Sequence, residues 1–236
     1  MEVSGRAFIE AMGQKAANAL IYEDNVEYAE RIPGLHVRFN DLGAGNGGQI
    51  INAGGADDSA NTSIWLITWG QDTTHLIYPR GCKAGIKTTP VDGWFATDDD
   101  GNKYAIKRME YEWHLGLVVR DWRYVARVAN IPRIVKKGSI GDSGADRTDF
   151  SGADLCDLME DAYYRHEGRR VSTGNTVFYC NPSVHKILRA QLKNLPQNAF
   201  LTWDKLNSND TQKTLFFNGI PVREMDQLHY NEDPIT

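Results

Sequence analysis

Cysteine is scarce and unorganised in this sequence. Cys82, Cys156 and Cys180 are odd in number and show no C-x-x-C spacing. That argues against a disulfide framework and a thiolate metal knuckle; it fits free, buried thiols in a reducing compartment. Long apolar runs are missing too. The opening stretch MEVSGRAFIEAMGQ carries Glu2 and Glu10 and reads as neither a secretory signal nor a membrane anchor. Without a secretory route the Asn61-Thr62-Ser63 sequon is a coincidence. Charge of one sign is nowhere concentrated: 26 Lys and Arg against 31 Asp and Glu give −5, well interspersed. No basic stripe marks a nucleic-acid surface, and the pairs Lys136-Lys137 and Arg169-Arg170 read as solvated faces. The histidines form no H-x-x-x-H pair and none stands at ligand spacing from a cysteine, so no metal site is expected.

What is present is ample core material: 41% of 236 residues are hydrophobic. Length allows one or two domains. Phe8, Met12, Ala16, Ala19 and Leu20 recur at helical spacing behind Ser4, a candidate cap; this narrow, alanine-rich stripe suits close packing along a sheet. Residues 22–61 are rich in glycine, Asn and Asp and read mostly as loop, with a possible short strand at His36 to Phe39. Ser63 to Trp69 is apolar almost throughout, as in a strand covered on both faces. Thr73 to Tyr78 should pair with it as a hairpin. From Lys103 to Val119 the residues Met109, Tyr111, Trp113, Leu115, Leu117 and Val119 share one parity, which predicts a single very long amphipathic strand. At Asp121 the parity flips, by a bulge or a short helix. Ser151 should cap a helix carrying Leu155, Leu158, Met159, Ala162 and Tyr163, closed by Gly168. Thr176 to Cys180 reads as a strand, and Asn181-Pro182 opens a helix with Val184, Ile187, Leu188 and Leu192. Asn218-Gly219 joins two strands, Leu215 to Phe217 and Ile220 to Glu224.

Three stretches imitate chemical motifs. Gly43 to Gly48, GAGNGG, spells the dinucleotide fingerprint, but QIINAGGADDSANTS after it has no helical stripe to face a pyrophosphate, so it reads as a flexible loop. Gly141-Asp142-Ser143-Gly144 matches the letters around a protease nucleophile, yet no histidine stands in a supporting context, and a surface loop is expected. Asp98 to Asn102 begins like a calcium loop, but the twelfth position is Met109 instead of a bidentate Glu; a hairpin tip is the better reading. No catalytic, cofactor-binding or metal-binding residue is assigned. An enzyme remains the alternative, nucleotide-dependent through Gly43–Gly48 or hydrolytic through Ser143.

Other blocks resemble a known family. WHLGLVVRDWRYVARVANI (113–131), SIWLITWGQDTTHLIYPRGCKA (63–84), VFYCNP (177–182) and GIPVR (219–223) resemble blocks of the major capsid proteins of tailed bacteriophages, several of them in the same chain order. The resemblance covers most of residues 5–230. It implies an α+β chain with the capsid fold first described for phage Hong Kong ninety-seven: a spine helix at 1–22, a peripheral long-stranded sheet and loops at 23–130, and an axial helix–strand unit at 131–236. It further implies a shell subunit of the virion, made in a bacterial host's cytoplasm and self-associating in hexamers and pentamers, with scaffold and decoration proteins as possible partners and no membrane. A cellular encapsulin-like cage protein would share the fold. The resemblance also leads us to expect a truncated or processed form, because relatives carry an N-terminal arm and an extended two-stranded loop before the spine helix.

Overall fold

The computed structural model describes residues 2–26, 28–55, 61–132, 155–170, 174–194, 201–205 and 213–236. Its centre is a mixed sheet. Helix α1 (Glu2–Tyr22) is followed by the single-turn helix α2 (Leu35–Arg38) and a 3-10 turn at Gly47–Gln49. Strands β1 (Ile50–Asn52), β2 (Asn61–Trp69) and β3 (Thr74–Ile77) come next, then β4 (Lys87–Thr97), β5 (Lys103–Glu112), β6 (Gly116–Val119) and β7 (Val125–Pro132). The remainder comprises α3 (Leu155–Arg165), β8 (Asn175–Cys180), α4 (Pro182–Asn194), β9 (Leu201–Lys205), β10 (Lys213–Phe217) and β11 (Ile220–Glu224). The main sheet runs β1-β7-β2-β8-β11-β10-β9, with β3 and β6 attached beside β2, while β4 and β5 pair only with each other.

Why β2 is apolar on both parities is visible in the packing. Ile64 and Leu66 enter one core with Ala126 and Val128 of β7, Phe178 of β8, and the α3 and α4 side chains Leu155, Met159, Val184 and Leu188. Trp65 and Ile67 enter a second core on the other face, with Ile21, Leu35, Phe39, Val125, Leu228 and Ile235. Helices thus cover one face. The end of α1, α2 and the C-terminal segment cover the other. Each buried large aliphatic or aromatic side chain contributes on the order of 1.5–3 kcal/mol.

Several expectations hold in detail. Asn181 Oδ1 accepts the Ser183 N–H at 2.7 Å and Pro182 takes the first helical position. Asn218 (φ 48°) and Gly219 (φ 78°) both occupy the left-handed region that a two-residue hairpin of the primed type demands. At Asp121 the short-helix option is realised: Trp122–Tyr124 form a 3-10 turn and Asp121 accepts the Arg123 N–H.

Other expectations are corrected. Ser4 lies inside α1, and only Ala19 and Ile21 near its end are fully buried, while Phe8 is 62% exposed; the helix does not lie along the sheet over its whole length. His36 to Arg38 are helical, not extended, and Phe39 caps the turn. Thr73 to Tyr78 makes no hairpin with β2. A single parallel contact joins Trp69 and Thr74, and β3 pairs antiparallel with β6 instead. The long strand from 103 to 119 is broken at 113–115 into β5 and β6. In the main sheet β2 lies between β7 and β8. Ser151 and the loop around Ser143 fall outside the described residues.

Candidate assembly surface and its polar anchor

The ribbon of β4 and β5 carries the most conspicuous surface. Its strands have 11 and 10 residues, a reach of roughly 33 Å at 3.3 Å per residue. The tip closes through the Asp98 N–H donating to Asn102 O at 2.9 Å, with Gly101 at φ 84°. The pairing register shifts between Val91 and Trp94, where Gly93 adopts φ 82°. Beyond that bulge Trp94 stands opposite Ile106 and Ala96 opposite Tyr104, so these four share a face, with the Arg108 guanidinium 4.3 Å over the Trp94 ring. Phe95 and Met109 lie on the other face. Trp94 is 47% exposed, Phe95 63%, Tyr104 55% and Met109 47%. A lone two-stranded ribbon is marginal in water, and apolar side chains clustered in the open mark a contact surface.

At the ribbon's root, Lys87 Nζ and His114 Nε2 converge on Glu112, at 3.4 and 2.6 Å. These two contacts hold the Glu112 carboxyl below its usual range, the His114 hydrogen bond contributing most. Alongside, Met12, Ala16 and Ala19 of α1 face Ile32, Trp113 and Leu115 across an open groove of about 330 Å³.

The main sheet also holds a buried polar cluster that sequence reasoning missed. Arg127 is 0% exposed. Its Nη2 donates to Glu232 Oε2 at 2.8 Å, Nε to Ser63 Oγ at 3.0 Å and Nη1 to Phe39 O at 2.6 Å. Its guanidinium also lies 4.9 Å over the ring of Trp65, its cross-strand partner. Ser63 Oγ and Tyr22 Oη both donate to the Glu232 carboxylate. Burial, and then the Glu232 charge, push the Tyr22 hydroxyl's pKa far up. Burial lowers that of Arg127, opposed by Glu232. Fully supplied with partners, the pair is an anchor between sheet, α1 and C-terminal segment, and it lies too deep for substrate. The sequence signal was an arginine in a strand apolar on both parities: Val125, Ala126, Val128 and Ala129.

The stretches that imitate motifs resolve differently. Gly43 to Gly48 leads into a 3-10 turn and then β1, with no helix N-terminus for a phosphate. The loop is pinned, not flexible. Gly43 N–H donates to Asp41 Oδ1 at 2.7 Å, Asn46 Nδ2 to Arg38 O at 2.7 Å and Gly47 N–H to Ala44 O at 2.8 Å. A Cβ on Gly47 would meet Leu42 O at 2.1 Å, which explains that glycine by packing. Asp98 to Asn102 is a hairpin tip, as expected. Among the described residues no group of three or more His, Cys, Asp or Glu side chains could hold a metal ion. Cys82 is exposed rather than buried, Cys156 intermediate and Cys180 buried. Asn61, in the sequon, is 0% exposed.

A projecting ribbon, a half-covered helix and a polar centre used wholly for bracing describe a structural subunit that works through surface shared with other chains. Comparison with known proteins gives the particular kind. Residues 3–236 match the family described as Major capsid protein GP7, and the chain belongs to that family. A chain in the near-atomic cryo-EM structure of bacteriophage Epsilon15 is similar to it at 27% identity, with a TM-score of 0.61, over 99% of this chain and 67% of that one. No curated protein matches. The chain is a tailed-phage major capsid protein with the Hong-Kong-ninety-seven-type fold, self-assembling into the virion shell, and not an enzyme. Neither the enzyme alternative nor the cellular cage alternative is favoured by this match.

Proposed function

We propose that this subunit builds the hexamers and pentamers of an icosahedral shell around viral DNA, after synthesis in the cytoplasm of a bacterial host. The observation that carries the reading is the exposure of Trp94, Phe95, Tyr104 and Met109 on a ribbon whose strands, among the described residues, pair with each other and with no further strand. In this reading the ribbon reaches a neighbouring copy, α1 serves as the spine helix, and the main sheet with α3 and α4 serves as the axial unit. The domain border then moves away from residue 130, because the sheet is continuous there. Many repeated weak contacts in a closed shell give collective stability without a strong single interface. A net charge of −5 suits a container that holds DNA without gripping it. Scaffold and decoration proteins fit the same reading as further partners, and no residue takes a catalytic, cofactor or metal role.

The test is assembly itself. The chain and its Phe95→Ser/Tyr104→Ser variant are compared by sedimentation velocity and negative-stain electron microscopy. Closed particles or capsomers from the parent, and slow-sedimenting subunits from the variant, support the reading. Equal assembly by both removes the ribbon from the interface. A parent that stays monomeric at every concentration, alone and with co-expressed phage assembly proteins, overturns the shell arrangement.

A further inference from the structure

Helix α1 is held at both ends by different parts of the molecule. At its C-terminal end, among the described residues, the side-chain hydrogen bonds of Asn18 and Tyr22 run to the C-terminal segment. Asn18 Nδ2 lies 2.9 Å from His229 Nε2, the Tyr22 ring stacks on His229 at 3.9 Å and 5°, the His229 N–H donates to Tyr22 Oη at 2.9 Å, and Tyr22 Oη donates to Glu232. That segment is itself fastened to the sheet at each end. Asn181 Nδ2 donates to Leu228 O at 3.0 Å. The Asn130 side chain accepts from the Ile235 N–H at 2.8 Å and donates to Ile235 O at 2.9 Å, imitating a strand pairing. Leu228 and Ile235, which make the two fastenings, are themselves buried, and between them the Glu232 N–H donates to Asn61 O at 3.0 Å.

At the other end α1 lies against the ribbon. A Cβ on Gly5 would stand 2.6 Å from Tyr111 Oη, so helix backbone and β5 side chain approach closely there. Between Gly5 and Tyr22 the helix spans about 26 Å at 1.5 Å per residue, bordered over its middle by an open groove. A helix gripped at one end by the C-terminal segment and touching the ribbon at the other connects the two elements.

We propose that residues 225–236 form a strap that sets the tilt of α1, and that α1 passes this tilt to the β4–β5 ribbon. The ribbon's role in the shell is the reading given above; the mechanical claim concerns one subunit and is measured there. Two single substitutions loosen the strap's hold on α1 while leaving the Arg127–Glu232 pair in place. Tyr22→Phe removes the phenol's hydrogen bonds and His229→Ala removes the stack.

Nitroxide labels at Asn102→Cys on the ribbon tip and Lys186→Cys on α4, in a Cys82→Ser/Cys156→Ser background, report the ribbon-to-body distance by double electron–electron resonance. The expected result is a shifted or broadened distribution in both variants, each still folded and unfolding in a cooperative thermal transition. Distributions identical to the parent in both overturn the connection. Should either variant fail to fold, Asn18→Ala, which removes only an exposed contact to His229, takes its place under the same criterion. Particle formation is scored separately. An unmoved ribbon overturns the connection whether or not particles form, and loss of particles by the ribbon variant bears on the shell reading alone.

Discussion

Arg127 and Glu232 meet in the sheet's interior at 2.8 Å, 105 residues apart in the chain and both with almost no solvent contact. Such a pair contributes little beyond an apolar replacement of equal shape, but breaking it leaves a charge stranded. Glu232→Ala should therefore lower the free energy of unfolding by about 3–5 kcal/mol. Urea denaturation followed by tryptophan fluorescence checks this, and a loss below about 1 kcal/mol would show that Arg127 finds other partners.

Acid should weaken the subunit through the partly buried His36 and the buried His166. Burial, then the Arg127 charge, hold His36 neutral with its pKa lowered to about 4; burial likewise lowers that of His166. Both return toward 6.5 on unfolding, so the unfolded chain binds more protons below that pH. The stability they confer is complete above pH 6.5 and is lost as pH falls from 6.5 toward 4. For His36 the size is on the order of 1–3 kcal/mol. Urea midpoints should be level from pH 8 to 7 and fall below 6.5, with a shallower fall in His36→Gln.

The glycine run separates packing from nucleotide binding. Gly47→Ala drives a methyl into Leu42 O and should destabilise by roughly 2–4 kcal/mol. Gly45 has open space around its Cβ position, so Gly45→Ala should be neutral or stabilising by about 0.5 kcal/mol. Thermal scans measure both. A rise of several degrees on adding NAD or ATP to the parent would contradict the packing account.

Thiol reactivity should follow burial. Cys82 is exposed, whereas burial pushes the Cys180 thiol up to about 12. Ellman's reagent should modify Cys82 first in the native protein and reach Cys180 only on unfolding. Early labelling of Cys180, mapped by mass spectrometry, would show that β8 opens readily.

Surface truncation on the ribbon should spare the subunit. Phe95→Ser and Tyr104→Ser remove no buried side chain, so each should change unfolding free energy by no more than about 0.5 kcal/mol. Equilibrium denaturation tests this, and a large loss would mean the ribbon folds back on its own body.

Where residues announced both a face and a boundary, the fold was readable. Asn181-Pro182, Asn218-Gly219 and the doubly apolar β2 each encode their geometry locally. The break at 113–115 was not readable, because parity continues across it: Trp113 and Leu115 keep the alternation while lining the groove beside α1. The pairing of β3 with β6 depends on residues some forty positions apart and left no local mark. The anchor was hidden for a similar reason. Glu232 sits in a polar tail and Arg127 in a strand, and only the sheet brings them together. The shell role was recognised from family resemblance and not from chemistry, and the exposed ribbon side chains went unmarked, since an exposed tryptophan and a buried one look alike in a sequence.

The interleaving of the sheet has a consequence for how the subunit is made. Strand β2, complete by residue 69, needs β8 and the far C-terminal tail before its two faces and its arginine neighbour are covered. Closure on such distant contacts is slow. The two cores of the main sheet therefore close only after the segment carrying Leu228, Glu232 and Ile235 has left the ribosome, whereas the β4–β5 ribbon can pair earlier.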